Sequence, residues 1–224
     1  MRRPILTAAL LTALALPARA ETPNLSANPV GEPGAAAQLV LAQRTYLAAL
    51  KSGDPVLLVT AIRLAREVVL RPPTGWTRTT DGESPVAEGQ DTLSNDPAGA
   101  RAIAIAQGLA GDDPALQDLV YDLDAQVPHG RRPVAITASG TLEGGQTDSW
   151  RIILAGETPA EIGVLSEGSP LKLQVRDEAD TVVCTFPPTT EPALCRFTPA
   201  ANGFFTVEVT NAGPGTGSYR LVGN

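Results

Sequence analysis

In Leu171-Lys-Leu-Gln-Val-Arg176, apolar Leu171, Leu173 and Val175 alternate with Lys172, Gln174 and Arg176. That period of two marks a strand with one face in a core and the other in water. The same alternation surrounds it. Trp150, Ile152 and Leu154 alternate around Arg151 and Ile153, and Phe205, Val207 and Val209 alternate with Thr206, Glu208 and Thr210. From Pro133 onward eight short strands are predicted: Pro133–Ala138, Ser149–Ala155, Glu161–Leu165, Leu171–Arg176, Thr181–Phe186, Leu194–Phe197, Phe204–Thr210 and Ser218–Val222. Gly, Pro, Asn and Asp separate them. So many short strands in so little chain fit an antiparallel β-sandwich.

Upstream the period is helical. Leu39, Ala42, Tyr46 and Leu50 recur at three- to four-residue spacing, and Ser52-Gly53 ends that run. Asp54-Pro55 restarts it, with Asp accepting backbone N–H groups as N-cap and Pro fitting the first turn. Leu58, Ala61, Ile62, Ala65, Val68 and Val69 form the next apolar stripe, which Pro72-Pro73 terminates. Helical character returns at Asp96-Pro97, stops near Gly111 and restarts at Asp113-Pro114 with Leu116, Leu119, Val120 and Leu123. Two helical hairpins, a four-helix unit over residues 35–127, are expected, with a long loop over 74–95 between them. The fold class is α+β in separate domains: this unit, then a jelly-roll-like sandwich over 133–224.

The first twenty residues, MRRPILTAALLTALALPARA, have the form of an export signal. Arg2 and Arg3 supply the positive start, Ile5–Leu16 the apolar run, and Ala18-Arg19-Ala20 the small-x-small cleavage site. A membrane-spanning helix needs about 20 apolar residues, and this run is shorter. The expected product is periplasmic or secreted, without stable membrane insertion. Residues 21–34, rich in Pro and Gly, read as a flexible lead-in.

The 224 residues carry a formal charge of −7, with 18% charged residues, 21 Gly and 20 Pro. The acidic balance argues against a nucleic-acid binder, which needs clustered Lys and Arg. One His and two Cys leave no transition-metal framework of the richer kind. In an oxidising compartment, Cys184 and Cys195 at strand edges around a Pro-rich connection are expected to form a structural disulfide. A redox pair would need the CxxC spacing that they lack.

The order of signals in residues 133–224 resembles the bacterial pre-peptidase C-terminal domain family. The residues that carry the resemblance are Gly140-Thr-Leu, Asp148-Ser-Trp-Arg-Ile-Ile-Leu-Ala-Gly156, Leu171–Asp177, Phe197–Val209 and Gly217-Ser-Tyr-Arg-Leu221. The resemblance implies a jelly-roll-like sandwich that serves as a non-catalytic appendage of secreted proteins, binding polymers or assisting folding and secretion. The Asp-rich turn that family members often carry is replaced here by Cys184–Cys195 with one acid, and no peptidase domain precedes the module.

The remaining candidates have two readings each. Asp177, Glu178 and Asp180, with Asp148, could supply oxygens to calcium, the one cofactor considered; otherwise Asp177 and Asp180 bond their own backbone in a hairpin turn. Asp118 and Asp122, one helical turn apart, are either an acid–base pair or an exposed polar face. His129 sits in the Pro-Gly hinge with no Gly-x-Ser-x-Gly elbow to serve it. Trp76, with Arg78 beside it, either anchors the 74–95 loop or contacts a partner. The expectation is an exported, non-enzymatic binding protein whose sandwich contacts an extracellular polymer or a protein. A chaperone-like or structural accessory is the alternative, and a hydrolase using interdomain acidic residues is a further one.

Overall fold

A computed structural model describes residues 22–82, 93–125 and 132–224. The expected signal at 1–20 and His129 lie outside the described residues. Among the described residues, four helices and ten strands follow in the order α1 (Ala35–Ser52), α2 (Pro55–Arg66), β1 (Val69–Arg71), β2 (Thr77–Asp81), α3 (Ala100–Ala110), α4 (Pro114–Ala125), β3 (Val134–Leu142), β4 (Thr147–Leu154), β5 (Ala160–Glu167), β6 (Leu171–Arg176), β7 (Val182–Thr189), β8 (Ala193–Phe197), β9 (Gly203–Asn211) and β10 (Gly217–Gly223). All eight strands expected after Pro133 are present, and two more precede them.

The helix punctuation follows local chemistry. Gly53 closes α1 in the left-handed region at φ 66°, where the absence of a Cβ removes the steric penalty. The Asp54 carboxylate accepts the N–H groups of Val56 and Leu57 at 2.9 and 3.0 Å. Asp113 does the same for Ala115 and Leu116 at 2.9 and 3.3 Å. Asp96 departs from the pattern. Its carboxylate accepts from Ala98 N and from Arg220, so it holds a turn, and α3 starts only after Gly99.

Two five-stranded sheets make the sandwich. Sheet A has the order β1-β3-β10-β5-β8 and sheet B the order β2-β4-β9-β6-β7. Every pairing is antiparallel except β1 with β3, which is parallel from Val69↔Val134 to Arg71↔Ile136. The outermost strand at each side comes from a sequence neighbour in the other sheet: β1 and β2 at one side, β7 and β8 at the other. Cys184 of β7 and Cys195 of β8 are disulfide-bonded, which ties the two sheets together at that side. Pro187 and Pro188 lie within β7, tolerated because an outer strand has one row of N–H groups with no ladder to donate to.

Two expectations for the helical stretch change. The stripe assigned to one helix through Val69 ends at Arg66, and Val69–Arg71 is β1. Val69 is β-branched, and Arg71 directly precedes Pro72-Pro73; both features favour extended backbone. The stretch expected as a loop from Thr74 to Asn95 holds β2, which pairs with β4 from Thr77↔Arg151 to Asp81↔Thr147. Its burial alternates without a single large apolar residue, so the sequence pattern carried no hydrophobic period to find.

Three apolar clusters hold these parts. The first, including Trp150, Ile152, Ile162, Leu173, Phe205, Val207 and Leu221, fills the space between the sheets. The second, including Tyr46, Leu58, Ile62, Ala102 and Val120, lies among the helices. The third, including Ala36, Val40, Leu165 and Val222, joins α1 to the outer face of sheet A. Gly163 permits that approach, since a Cβ there would stand 2.8 Å from Val40 Cγ2. No side chain at Gly34 caps α1. Buried Glu161 of β5 supplies the cap instead, accepting from Gly34 N at 2.8 Å and Ala37 N at 2.9 Å while Arg196 donates to it at 3.0 Å. A carboxylate at a helix N-terminus also meets the positive end of its dipole. The lead-in is likewise held: Ser26 N donates to Thr198 O at 2.7 Å and Asn24 N to Asp177 Oδ2 at 2.7 Å.

Candidate functional site

Because α1 covers the outer face of sheet A, the outer face of sheet B is the large strand surface left to solvent. The strand registers arrange it in rows across the sheet. One row runs Thr77, Arg151, Thr206, Arg176 and Val182; the next runs Thr79, Ser149, Glu208, Gln174 and Thr185; a third runs Asp81, Thr147, Thr210 and Lys172. Ile153 and Phe204, paired in register, close one end. Period-two alternation puts these polar residues outside for the same reason that it puts Leu173, Val207 and Ile152 inside.

The face has both hydrogen-bonding and apolar parts. Thr147 and Thr210 share a hydroxyl hydrogen bond at 2.9 Å. Arg176 lies 3.3 Å from Glu208 and donates to Gln174 at 3.2 Å. Arg151 stacks on Phe204 with its guanidinium carbon 3.5 Å from the ring centroid, and Ile153 is 61% exposed. A flat cation on an aromatic ring beside an exposed branched side chain makes a firm apolar contact patch, while the hydroxyl rows offer donors and acceptors.

Beneath this face lies a buried polar network that the sequence reading did not find as a unit. Asp148 of β4 points inward and is completely buried. It accepts from the Tyr219 hydroxyl and from Thr80 Oγ1, the latter at 2.5 Å, and Arg78 stands 2.7 Å from its Oδ2. Trp150 Nε1 donates to the Tyr219 hydroxyl at 2.7 Å. Burial first, then the neighbouring Asp148 carboxylate, raises the Tyr219 pKa far above the ordinary phenol value, so this hydroxyl stays a donor. The one sequence signal for the network is Asp148 itself: an acid at an inward position of an alternating strand.

Trp76 and Arg78 both belong to this interior. Trp76 is half-buried and meets Trp150 edge-on, with ring centroids 6.4 Å apart. Arg78 reaches in from β2 with its guanidinium carbon 5.6 Å from the Trp150 centroid. Gly140, opposite Tyr219 on β3, makes room: a Cβ there would lie 2.6 Å from the Tyr219 ring. Gly140→Ala is therefore expected to destabilise the protein by about 2 kcal/mol through overpacking. Urea unfolding checks this, and an unchanged midpoint would contradict it.

Asp177 and Asp180 point different ways. Asp177 is buried and accepts from the N–H groups of Asn24, Ala179 and Thr181 at 2.7, 3.0 and 2.9 Å. Asp180, at φ 62°, has an 82% exposed side chain 3.4 Å from Arg176. Among the described residues no group of three or more His, Cys, Asp or Glu side chains converges as a metal site. Asp118 and Asp122 lie on the exposed side of α4, away from these residues. Asp148 is fully enclosed.

No family model and no curated protein matches the chain. Among solved structures, the chain is similar to the pre-peptidase C-terminal domain of a collagenase from Bacillus anthracis. The identity is 23% and the TM-score 0.33, over 39% of this chain and 87% of that domain. The likeness covers less than half of this chain. It is also similar to the C-terminal CBM6 of a marine laminarinase from Zobellia galactanivorans, at 12% identity and TM-score 0.27 over 37% of this chain and 78% of that one. The CBM22-1–GH10 modules of a Clostridium thermocellum xylanase, complexed with xylohexaose, are similar at 15% identity and TM-score 0.25, over 39% and 24%.

Proposed function

We propose that this chain is an exported, non-catalytic binding protein that holds an extracellular polymer or a protein partner on the outer face of sheet B. The observation that carries the reading is the asymmetry of the sandwich. One sheet is roofed by α1, while the other presents registered rows of hydroxyl, amide and charged side chains ending in the Arg151–Phe204–Ile153 patch. Extended chains suit such a surface, since their polar groups meet the rows and their flat or branched parts meet Phe204 and Ile153. Trp76 and Arg78 serve this surface from below, fixing β2 so that Thr77 and Thr79 join it. The enclosed carboxylates of Asp148 and Glu161, each taken up by donors within the fold, support a role without catalysis. The disulfide supports export, and among the described residues no helix is long and apolar enough to cross a membrane.

The test is sedimentation of the full chain with insoluble peptidoglycan, cellulose and collagen, comparing wild type with Phe204→Ala and Ile153→Ser. Loss of either apolar contact residue is expected to weaken retention on the bound polymer by about tenfold. Equal retention by both variants and wild type would remove sheet B from the proposal. Failure to bind any polymer would shift the reading to a protein partner, tested by crosslinking through an Ile153→Cys variant.

A further inference from the structure

The α3–α4 pair carries a second surface, independent of the sheet face. Between the two helices lies a groove of about 390 Å³ lined by Gln107, Gln117, Asp118, Val120 and Tyr121. Buried Val120 forms its floor, and Tyr121 beside it is 77% exposed, more than any other large apolar or aromatic side chain among the described residues. Gln117 donates from its amide nitrogen to the carbonyl of Gly111 at 2.6 Å, and among the described residues its amide oxygen is left as an acceptor. The groove therefore offers an apolar floor, an open aromatic face, a carboxylate and an amide oxygen.

The charge of α4 runs against what a helix favours on its own. Asp118 and Asp122 are four residues apart, a spacing that places like charges together and weakens a helix. Asp122 falls in the last turn, which has no basic residue of its own; the guanidinium of Arg66 in α2 meets that end of the helix, donating to Leu123 O at 3.0 Å. No Lys or Arg occurs from Ala102 to Gly130, against five Asp. Neither Asp118 nor Asp122 has a cation in ion-pair range among the described residues. A positive group seated in the groove beside Asp118 would relieve the repulsion.

We infer that the α3–α4 groove is a docking site for a cationic side chain, arginine above all, presented by a basic segment of a partner protein. Arginine fits each part. Its aliphatic stem lies on Val120, its planar guanidinium stacks on Tyr121, and its paired N–H groups meet the Asp118 carboxylate. Lysine offers a point charge without the fork or the planar stack.

Fluorescence anisotropy of the full chain with a labelled peptide alternating arginine and glycine tests this. Wild type binds the peptide, and binding falls as salt rises. Tyr121→Ala is expected to weaken binding about threefold, and Asp118→Asn with Asp122→Asn by about tenfold or more. The double Asn variant melts no lower than wild type, since it removes repulsion, so its lost binding is not lost folding. A lysine–glycine peptide binds more weakly, and Phe204→Ala leaves peptide binding unchanged. Glu178→Gln with Glu191→Gln removes the same charge from other exposed positions. If that variant weakens binding as much as the Asp118 and Asp122 changes, the attraction is only bulk charge and the inference fails. It fails equally if wild type does not bind at low salt, or if Tyr121→Ala binds as wild type does.

Discussion

Arg78→Ala is expected to lower the stability of the protein by about 3–5 kcal/mol, the usual consequence of leaving one member of a buried ion pair without its partner. Asp148 is completely buried, and the cation beside it comes from β2, an outer strand with no large apolar side chain of its own. The Tyr219 hydroxyl and Thr80 still donate to Asp148 in the variant, yet neither cancels its charge. Loss of the guanidinium also uncovers one side of Trp150. Denaturant unfolding monitored by Trp fluorescence measures the effect. The double variant Arg78→Met with Asp148→Asn is expected to recover most of the loss, because it removes both charges and keeps the volume. A single variant within 1 kcal/mol of wild type would mean that the carboxylate draws its compensation from elsewhere.

Replacing both Cys184 and Cys195 by Ala is expected to cost about 3 kcal/mol by the chain-entropy account of a short closed loop. The bond joins β7 of sheet B to β8 of sheet A, a second covalent tie at that side beside the short chain connection through residues 190–192. For a chain of this size the loss corresponds to a fall in melting temperature of roughly 6–12 °C. Thermal unfolding with and without reductant should show the same fall for the wild type. Should the reduced wild type melt with the oxidised protein, the sheets are held by Phe186, Phe197 and their neighbours alone.

The sandwich was legible because its strands carry their own period. Leu171–Arg176 and Phe204–Thr210 each sort polar from apolar by position, and burial in the structure follows that sorting. The Asp-Pro restarts at Asp54 and Asp113 were legible for an equally local reason, a carboxylate two to three residues from the donors it caps. What escaped depends on distance along the chain. Thr77–Asp81 has no hydrophobic alternation, and its strand character comes from Asp148, Trp150 and β4, about seventy residues on. The lead-in looked free because Asn24, Ser26 and Asn28 are small polar residues; their partners Asp177, Thr198 and Glu157 lie far downstream. The sheet face was visible only as separate Thr, Arg and Gln residues. Register makes it a surface, and no single strand states its register.

The place of β10 has a consequence for the order of events during synthesis. This strand is made after every other strand described, yet it lies in the middle of sheet A, between β3 and β5. Until Gly217–Gly223 has emerged, β3 and β5 have no ladder joining them, and Val222 is missing from beneath α1. A growing chain can coil its helices early, but half of the sandwich must wait as unpaired strand edges. Such edges invite wrong pairing while they are open. The protein thus carries its greatest hazard of misassembly late, and passes it in a single step when one short strand slots into the centre.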